Sequence, residues 1–364
     1  MPFIRESYFI PTPTKATQFL IRTLGYSQRQ AQKIIDKARL RTPSNLPIAK
    51  SDIISGNVWL THFVDSFYSQ EELITPLFCM PDFVLFDKPA KLLTHPKGSF
   101  LHKTLMDSVR FFCGGAAQPI HRLDYETSGL ILVATHYGSE IALKQQLSAR
   151  NIQKTYLARV SGLLRTSCLV DAPILSPHKS EKPHKNLSVR SRIDSLGKPA
   201  QTLITPLGFD KDSATTYISV QPLTGRTHQI RLHCAHIGYP ICNDFLYGVT
   251  DDVAAHYLDF VRKKFYDASL QESRFLQDSS RSDIKESIVE ILESSEVFAQ
   301  DTYAASTIDS DSTSLPDYTS ELCLHAYHLR FCYEECTYSL FAPLPKWWDT
   351  SISPPNSTIE PDKL

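Results

Sequence analysis

From residue 82 onward the chain is written in short runs of β-branched and aromatic residues separated by turn formers. That pattern restricts the fold more than any other feature. Phe83-Val84-Leu85-Phe86 and Leu130-Ile131-Leu132-Val133-Ala134 are the right length for buried strands and too short for buried helices. Further strands are predicted at Lys154 to Val160, Ala200 to Pro206 and Thr216 to Pro222, with helices over 101–112 and 136–149. Strands that follow one another so closely pair mostly antiparallel, which gives an α+β fold around a mixed sheet. Rossmann and P-loop crossovers are excluded, because 13 glycines are scattered too thinly to build a phosphate-cradling loop.

A chain of 364 residues has room for this domain and a small appended module. Between residues 16 and 40, Phe19, Leu20 and Leu24, then Ala31, Ile34, Ile35 and Ala38, recur at helical spacing and predict two helices. Gly25 ends the first. Ser27-Gln28-Arg29-Gln30 starts the second as a capping box, since Ser27 and Gln30 can each satisfy an orphan N–H. A β-like run follows at Val58-Trp59-Leu60-Thr61-His62-Phe63. Arg22, Arg29, Lys33, Lys37 and Arg39 make the second helix basic, which suits either a phosphate-contacting surface or a solvated face. Ser27-Gln28-Arg29 and Ser55-Gly56-Asn57-Val58 resemble the corresponding parts of an S4-like RNA-binding domain. The Gly-x-Val-x-Val-Asn-Gly hairpin of that domain has no counterpart in Ala38 to Pro47. The resemblance implies RNA contact through Arg29 and Lys33 and a module covering residues 1–75.

A formal net charge of −1 conceals an asymmetry. Residues 249–321 hold 16 acidic and 6 basic residues, leaving 32 basic against 23 acidic elsewhere, an excess suited to a polyanionic partner. The interval 249–320 reads as an acidic, partly disordered insertion that loops out, with a helix over Ser282 to Phe298 and a polar tract from Ser306 to Ser320. Apolar strand patterns resume at Leu322 to Ala326 and Tyr338 to Pro345. The last residues, 349–364, read as a tail that is frayed from Ser351 onward. No apolar stretch is long enough for a bilayer and the first residues carry charges of both signs, so a cytoplasmic protein without membrane attachment is expected. The eight cysteines show no Cys-x-x-Cys pair and read as buried thiols. Cys332, Cys336 and His328 form the one cluster with a metal-like look, and no metal or other cofactor is expected.

The chemistry concentrates in His121-Arg122-Leu123-Asp124-Tyr125-Glu126-Thr127-Ser128-Gly129-Leu130, where a carboxylate stands before a turn and a buried strand. By itself, Asp before Thr-Ser-Gly reads as a turn former or helix cap. The whole string, however, resembles the His-Arg-Leu-Asp-x-x-Thr-Ser-Gly-Leu signature of the RluA-type pseudouridine synthases. Four further segments resemble that family in its order. Asp87-Lys88-Pro89-Ala90-Lys91-Leu92-Leu93-Thr94-His95-Pro96 has Lys91 at a usual Gly. Lys154-Thr155-Tyr156-Leu157-Ala158 matches the Lys-x-Tyr motif, and Thr224-Gly225-Arg226-Thr227-His228-Gln229-Ile230-Arg231 matches the Gly-Arg-x-His-Gln-Ile-Arg motif. Pro240-Ile241-Cys242-Asn243-Asp244 has Asn243 at a usual Gly. Coverage runs over 82–348 apart from the insertion.

The resemblance implies isomerisation of uridine in structured RNA, either large-subunit ribosomal RNA or transfer RNA, and the S4-like module favours ribosomal RNA. Asp124 then acts at the ribose C1′ and needs a cation to stay ionised, for which Arg226 is the expected bidentate partner. Tyr156 stacks on the detached uracil. Arg122 fills the gap left by a flipped base, and Lys154 contacts RNA. His121, His228, Gln229 and Arg231 are expected to support the structure. Two other readings stay open on the residues alone: an Asp124/His228 hydrolase acting on nucleotides, and a catalytically inactive RNA-binding factor. A monomer is the default.

Overall fold

The computed structural model describes residues 3–63, 70–96, 103–176, 187, 189–278 and 316–356. These divide into two compact units, one N-terminal and one containing residues 70–95, 104–263 and 316–356.

In the N-terminal unit β1 (Phe3–Lys15) leads through α1 (Ala16–Gln18) and a π turn over Phe19–Thr23 to α2 (Gln28–Asp36), then β2 (Leu40–Arg41) and β3 (Ile53–Phe63). The sheet order is β1-β3-β2, with β1 antiparallel to β3. The capping box is formed. Ser27 Oγ accepts the Gln30 N–H and Gln30 Oε1 accepts the Ser27 N–H at 2.9 Å. The expected first helix is instead three residues and a π turn. Strand β1 was not expected at all, because Pro11 and Pro13 interrupt its alternation. It tolerates them as an edge strand whose register shifts between Ile10 and Thr14. Leu20, Ala31, Ile35, Leu40 and Leu60 fill the core, while Arg29 and Lys33 are exposed on α2.

The larger unit runs β4 (Pro76–Cys79), β5 (Phe83–Lys88), α3 (Leu105–Cys113), β6 (Gln118–Pro119), β7 (Ser128–Ala134), α4 (Tyr137–Ser148) and β8 (Gln153–Ser161). It continues with β9 (Cys168–Asp171), β10 (Ile174–Leu175), β11 (Arg192–Ile193), β12 (Gln201–Asp210), β13 (Thr215–Pro222) and α5 (Gln229–His236). Last come α6 (Asp251–Asp278), whose residues to Lys263 belong to this unit, β14 (Leu324–Tyr333) and β15 (Cys336–Phe341). The main sheet has the order β4-β5-β7-β14-β8-β13-β12-β9, with β15 on β14 and β6 on β7. Every pairing in it is antiparallel except β7 with β14. The α+β class with a mixed, mostly antiparallel sheet is therefore the observed one.

Both faces of the sheet centre are covered, which is why β5 and β7 read as uninterrupted apolar runs. Val84, Phe86, Ile131 and Val133 pack with α3 and α5 residues such as Leu105, Val109 and Ile230. Phe83, Leu85, Leu130 and Leu132 face the other way, with Leu143 of α4 and Phe331 of β14.

Three boundaries differ from the sequence expectation. Residues 70–75 fold with the larger unit, where Leu73 is buried and the Ile74 N–H donates to Ser108 Oγ at 2.9 Å. The acidic interval does not loop out at residue 249: it opens as α6, whose Ala254 and Tyr257 are buried. The tail is anchored at Ile352, which packs in the cluster of Tyr217 and Trp348 and whose carbonyl accepts the Trp348 indole N–H. The helix expected over 282–298, the polar tract as far as residue 315, residues 101–102 of another helix and the tail from 357 lie outside the described residues.

Candidate active site

The Asp124 loop joins β6 to β7, and the start of β7 is fixed by an unusually close neighbour. Ala326 of β14 pairs with Gly129 on one side and Tyr156 on the other. At Gly129 the backbone has φ +107°, and a Cβ would lie 2.3 Å from the Ala326 carbonyl oxygen, so only glycine fits. The sheet thus sets the end of the Asp124 loop and Tyr156 two strands apart, separated by β14. Tyr156 also pairs with Val220 of β13, the strand that runs into the turn 224–228 and α5. Motifs far apart in sequence reach one region in this way.

The Asp124 side chain keeps 21% of its exposure, and its Oδ1 is 3.9 Å from His228 Nε2. His228 adopts a left-handed conformation, φ 56°, at the head of α5. Its Nδ1 lies 2.8 Å from the Tyr247 hydroxyl, which accepts the Ser191 N–H at 2.9 Å. In the tautomer in which Tyr247 donates to Nδ1, the ring proton stands on Nε2, toward Asp124. Burial lowers the His228 pKa despite the pull of the Asp124 carboxylate, so the ring is neutral near pH 7. Burial raises the Tyr156 phenol, and the negative charge of Asp124 raises it further.

Beneath this surface lies a buried ionic lattice that sequence reasoning missed. Arg231, 1% exposed, holds Asp244 through two nitrogens at 2.8 Å and Glu126 through Nη1 at 3.0 Å. Burial would lower its pKa, but the two carboxylates hold the guanidinium well above the usual value. Burial likewise pushes Glu126 up, yet Arg231, His228 and a hydrogen bond from Tyr257 bring it below its usual value. Lys88 is fully buried and donates to the carbonyls of Pro89 and Leu92 at 2.9 Å and Tyr125 at 3.5 Å. Burial pulls its ammonium down to about 7, against the opposing charges of Asp124, Glu126 and Asp87. Lys88, Arg231 and Asp244 all stand within quoted motifs. Their place in the motifs was legible but their buried contacts were not, and Glu126 sits at an unspecified motif position and gave no signal.

The remaining sequence candidates are placed as follows. Arg226 forms no ion pair with Asp124: its Nε donates to the Pro199 carbonyl at 3.0 Å, and its backbone N–H goes to Gln229 Oε1. Sequence fixed only its place in the turn, and the turn's own hydrogen bonds aim the side chain elsewhere. Gln229 ties that turn to β12, donating to the Gln201 carbonyl and Thr202 Oγ1 at 2.9 Å. His121 accepts the Leu132 N–H through Nε2 and is kept neutral by burial, with the nearby Lys154 charge adding to the effect. Burial brings Lys154 itself down to about 8. Arg122 is exposed. Among the described residues no group of three or more His, Cys, Asp or Glu could hold a metal ion, and His328 instead stacks on Phe341 at 4.2 Å. No helix among them is long and apolar enough to cross a membrane.

Residues 82–236 match the RNA pseudouridylate synthase family. An uncharacterised RNA pseudouridine synthase of Helicobacter pylori is 42% identical over 264 residues, covering 72% of this chain and 87% of that protein. Ribosomal large subunit pseudouridine synthase D of Nitrosomonas europaea is 36% identical over 172 residues, 46% of this chain and 47% of its own. The mitochondrial tRNA pseudouridine(32) synthase of Saccharomyces cerevisiae is 32% identical over 176 residues, 48% of this chain and 37% of its own. With its mixed sheet, its Asp124 loop and these relatives, the chain belongs to the RluA-type RNA pseudouridine synthase family.

Proposed function

We propose that this enzyme flips a uridine out of structured RNA and isomerises it with Asp124 acting at the ribose C1′. The N1–C1′ bond breaks, the detached uracil turns, and a C5–C1′ bond forms. N1 takes up a proton and the C5 proton leaves to solvent. Asp124 is suited to this because its carboxylate is accessible, with His228 Nε2 3.9 Å from Oδ1 and the charge of buried Lys88 acting on it, so a nucleoside can reach it from outside. That arrangement is the observation that carries the reading. Tyr156 stacks on the uracil from β8. Arg122, exposed on the loop, takes the flipped base's place, since a planar guanidinium stacks and meets phosphate together. Arg226 and Lys154 meet the RNA from the turn after β13 and from β8, and Arg226 turns from the Pro199 carbonyl toward Asp124 when substrate binds.

The preferred substrate is large-subunit ribosomal RNA. The support is the N-terminal unit, which resembles an S4-like module and exposes Arg29 and Lys33 on one helix. The enzyme works as a cytoplasmic monomer with no metal or cofactor. Pseudouridine mapping by carbodiimide primer extension, in cells with and without the gene, tests the assignment. Loss of a stop in large-subunit ribosomal RNA is expected, and loss confined to transfer RNA would overturn the substrate choice. A hydrolase built on Asp124 and His228 would instead release free base and leave the C5 hydrogen in place.

A further inference from the structure

Two positions depart from the family pattern, Lys91 and Asn243, and both stand in left-handed backbone, φ 58° and 61°. Glycine would adopt that conformation freely, so a side chain there calls for some compensating contact. Both side chains reach the same strip of backbone, where the acidic interval returns to the sheet. Lys91 Nζ donates to the Tyr318 carbonyl at 3.2 Å and to that of Thr319, and Asn243 Nδ2 donates to the Glu321 carbonyl at 2.9 Å. The outgoing limb is α6. Its Tyr257 packs with Tyr318, ring centroids 5.7 Å apart, and both rings meet Phe245 at 5.5 and 5.1 Å. The Tyr318 hydroxyl adds a bond to the Val253 carbonyl at 3.4 Å. Both limbs are therefore fastened to each other and to loops that carry the family's motifs.

The buried Tyr257 hydroxyl donates to Glu126 Oε1 at 2.8 Å, while Arg231 holds Oε2. Glu126 is two residues from Asp124, in a turn closed by the Thr127 N–H on the Asp124 carbonyl at 3.2 Å. We propose that Tyr257 is a positioning residue for Asp124: the root of the acidic interval, clasped by Lys91 and Asn243, fixes Glu126 through the Tyr257 hydroxyl and so aims the Asp124 turn. The proposal rests on Asp124 being the catalytic carboxylate. It makes the interval part of the catalytic architecture at its root.

The test is single-turnover and steady-state kinetics on RNA carrying C5-tritiated uridine, with full-length Tyr257→Phe, Glu126→Gln and the double variant. Tyr257→Phe keeps the ring and removes one hydrogen bond to a charged group, so kcat is expected to fall about tenfold while KM stays within about twofold. The double variant is expected to be no slower than Glu126→Gln, because the two residues act through one bond. Lys91→Gly with Asn243→Gly, which keeps the left-handed backbone and drops the clasp, is expected to lower kcat in the same direction and covers the case of a Tyr257 variant that does not fold. Unchanged kcat in Tyr257→Phe, or losses that add in full in the double variant, would overturn the proposal. Asp124→Asn is run alongside. If it still turns over, both the catalytic reading and this proposal fail, whereas an inactive Asp124→Asn beside an unaffected Tyr257→Phe removes this proposal alone.

Discussion

Lys88 shows how much of the site is decided by single buried charges. Its amine lies among three carbonyl oxygens, and burial holds it near 7 where an exposed lysine stands at 10.5. A folded pKa below the unfolded one means that the unfolded chain binds more protons between those limits. The contribution of Lys88 to stability is therefore complete above about 10.5, shrinks as pH falls and is lost as it passes 7. Denaturant midpoints of wild type and Lys88→Met at pH 7, 8 and 9 are expected to diverge in favour of wild type as pH rises, and parallel curves would contradict the assignment. Residues of this kind were only half legible. Sequence singled out Asp124 and Tyr156, and the charge of Asp124 bears on Tyr156, His228 and Lys88 in the fold. The direction in which Arg226 points was not legible, since it depends on Gln229 capturing the turn and on the Pro199 carbonyl.

At the scale of elements, the parallel contact of β7 with β14 is the joint on which the site turns. Any side chain at Gly129 meets the Ala326 backbone and the positive φ together. Gly129→Ala is expected to cost at least about 2 kcal/mol in chemical denaturation and to slow turnover by displacing the Asp124 loop. Wild-type stability in that variant would contradict the close approach. The strands of the larger unit were readable because burial on both faces leaves uninterrupted apolar runs. Strand β1 was not, since two prolines break its pattern. Helix α5 was hidden too: Gln229, Arg231 and His233 occupy positions that a helical pattern reserves for apolar residues, and each is buried by hydrogen bonds. The early start of α6 was masked by an overall acidic composition, which says nothing about where Ala254 and Tyr257 pack.

For the molecule as a whole, charge is the property that sequence averages hide. The excess of basic residues outside 249–321 predicts RNA binding through phosphates, with release of counterions. Affinity for a ribosomal RNA fragment is expected to fall at least about tenfold as salt rises from about 50 to about 200 mM. A flat dependence would speak against a basic binding surface. The central claim is that Asp124 makes and breaks the glycosidic bond, and release of tritium from C5-labelled uridine by Asp124→Asn tests it most directly. The expected result is a variant that binds RNA like wild type and releases no tritium above background; release at the wild-type rate would contradict it.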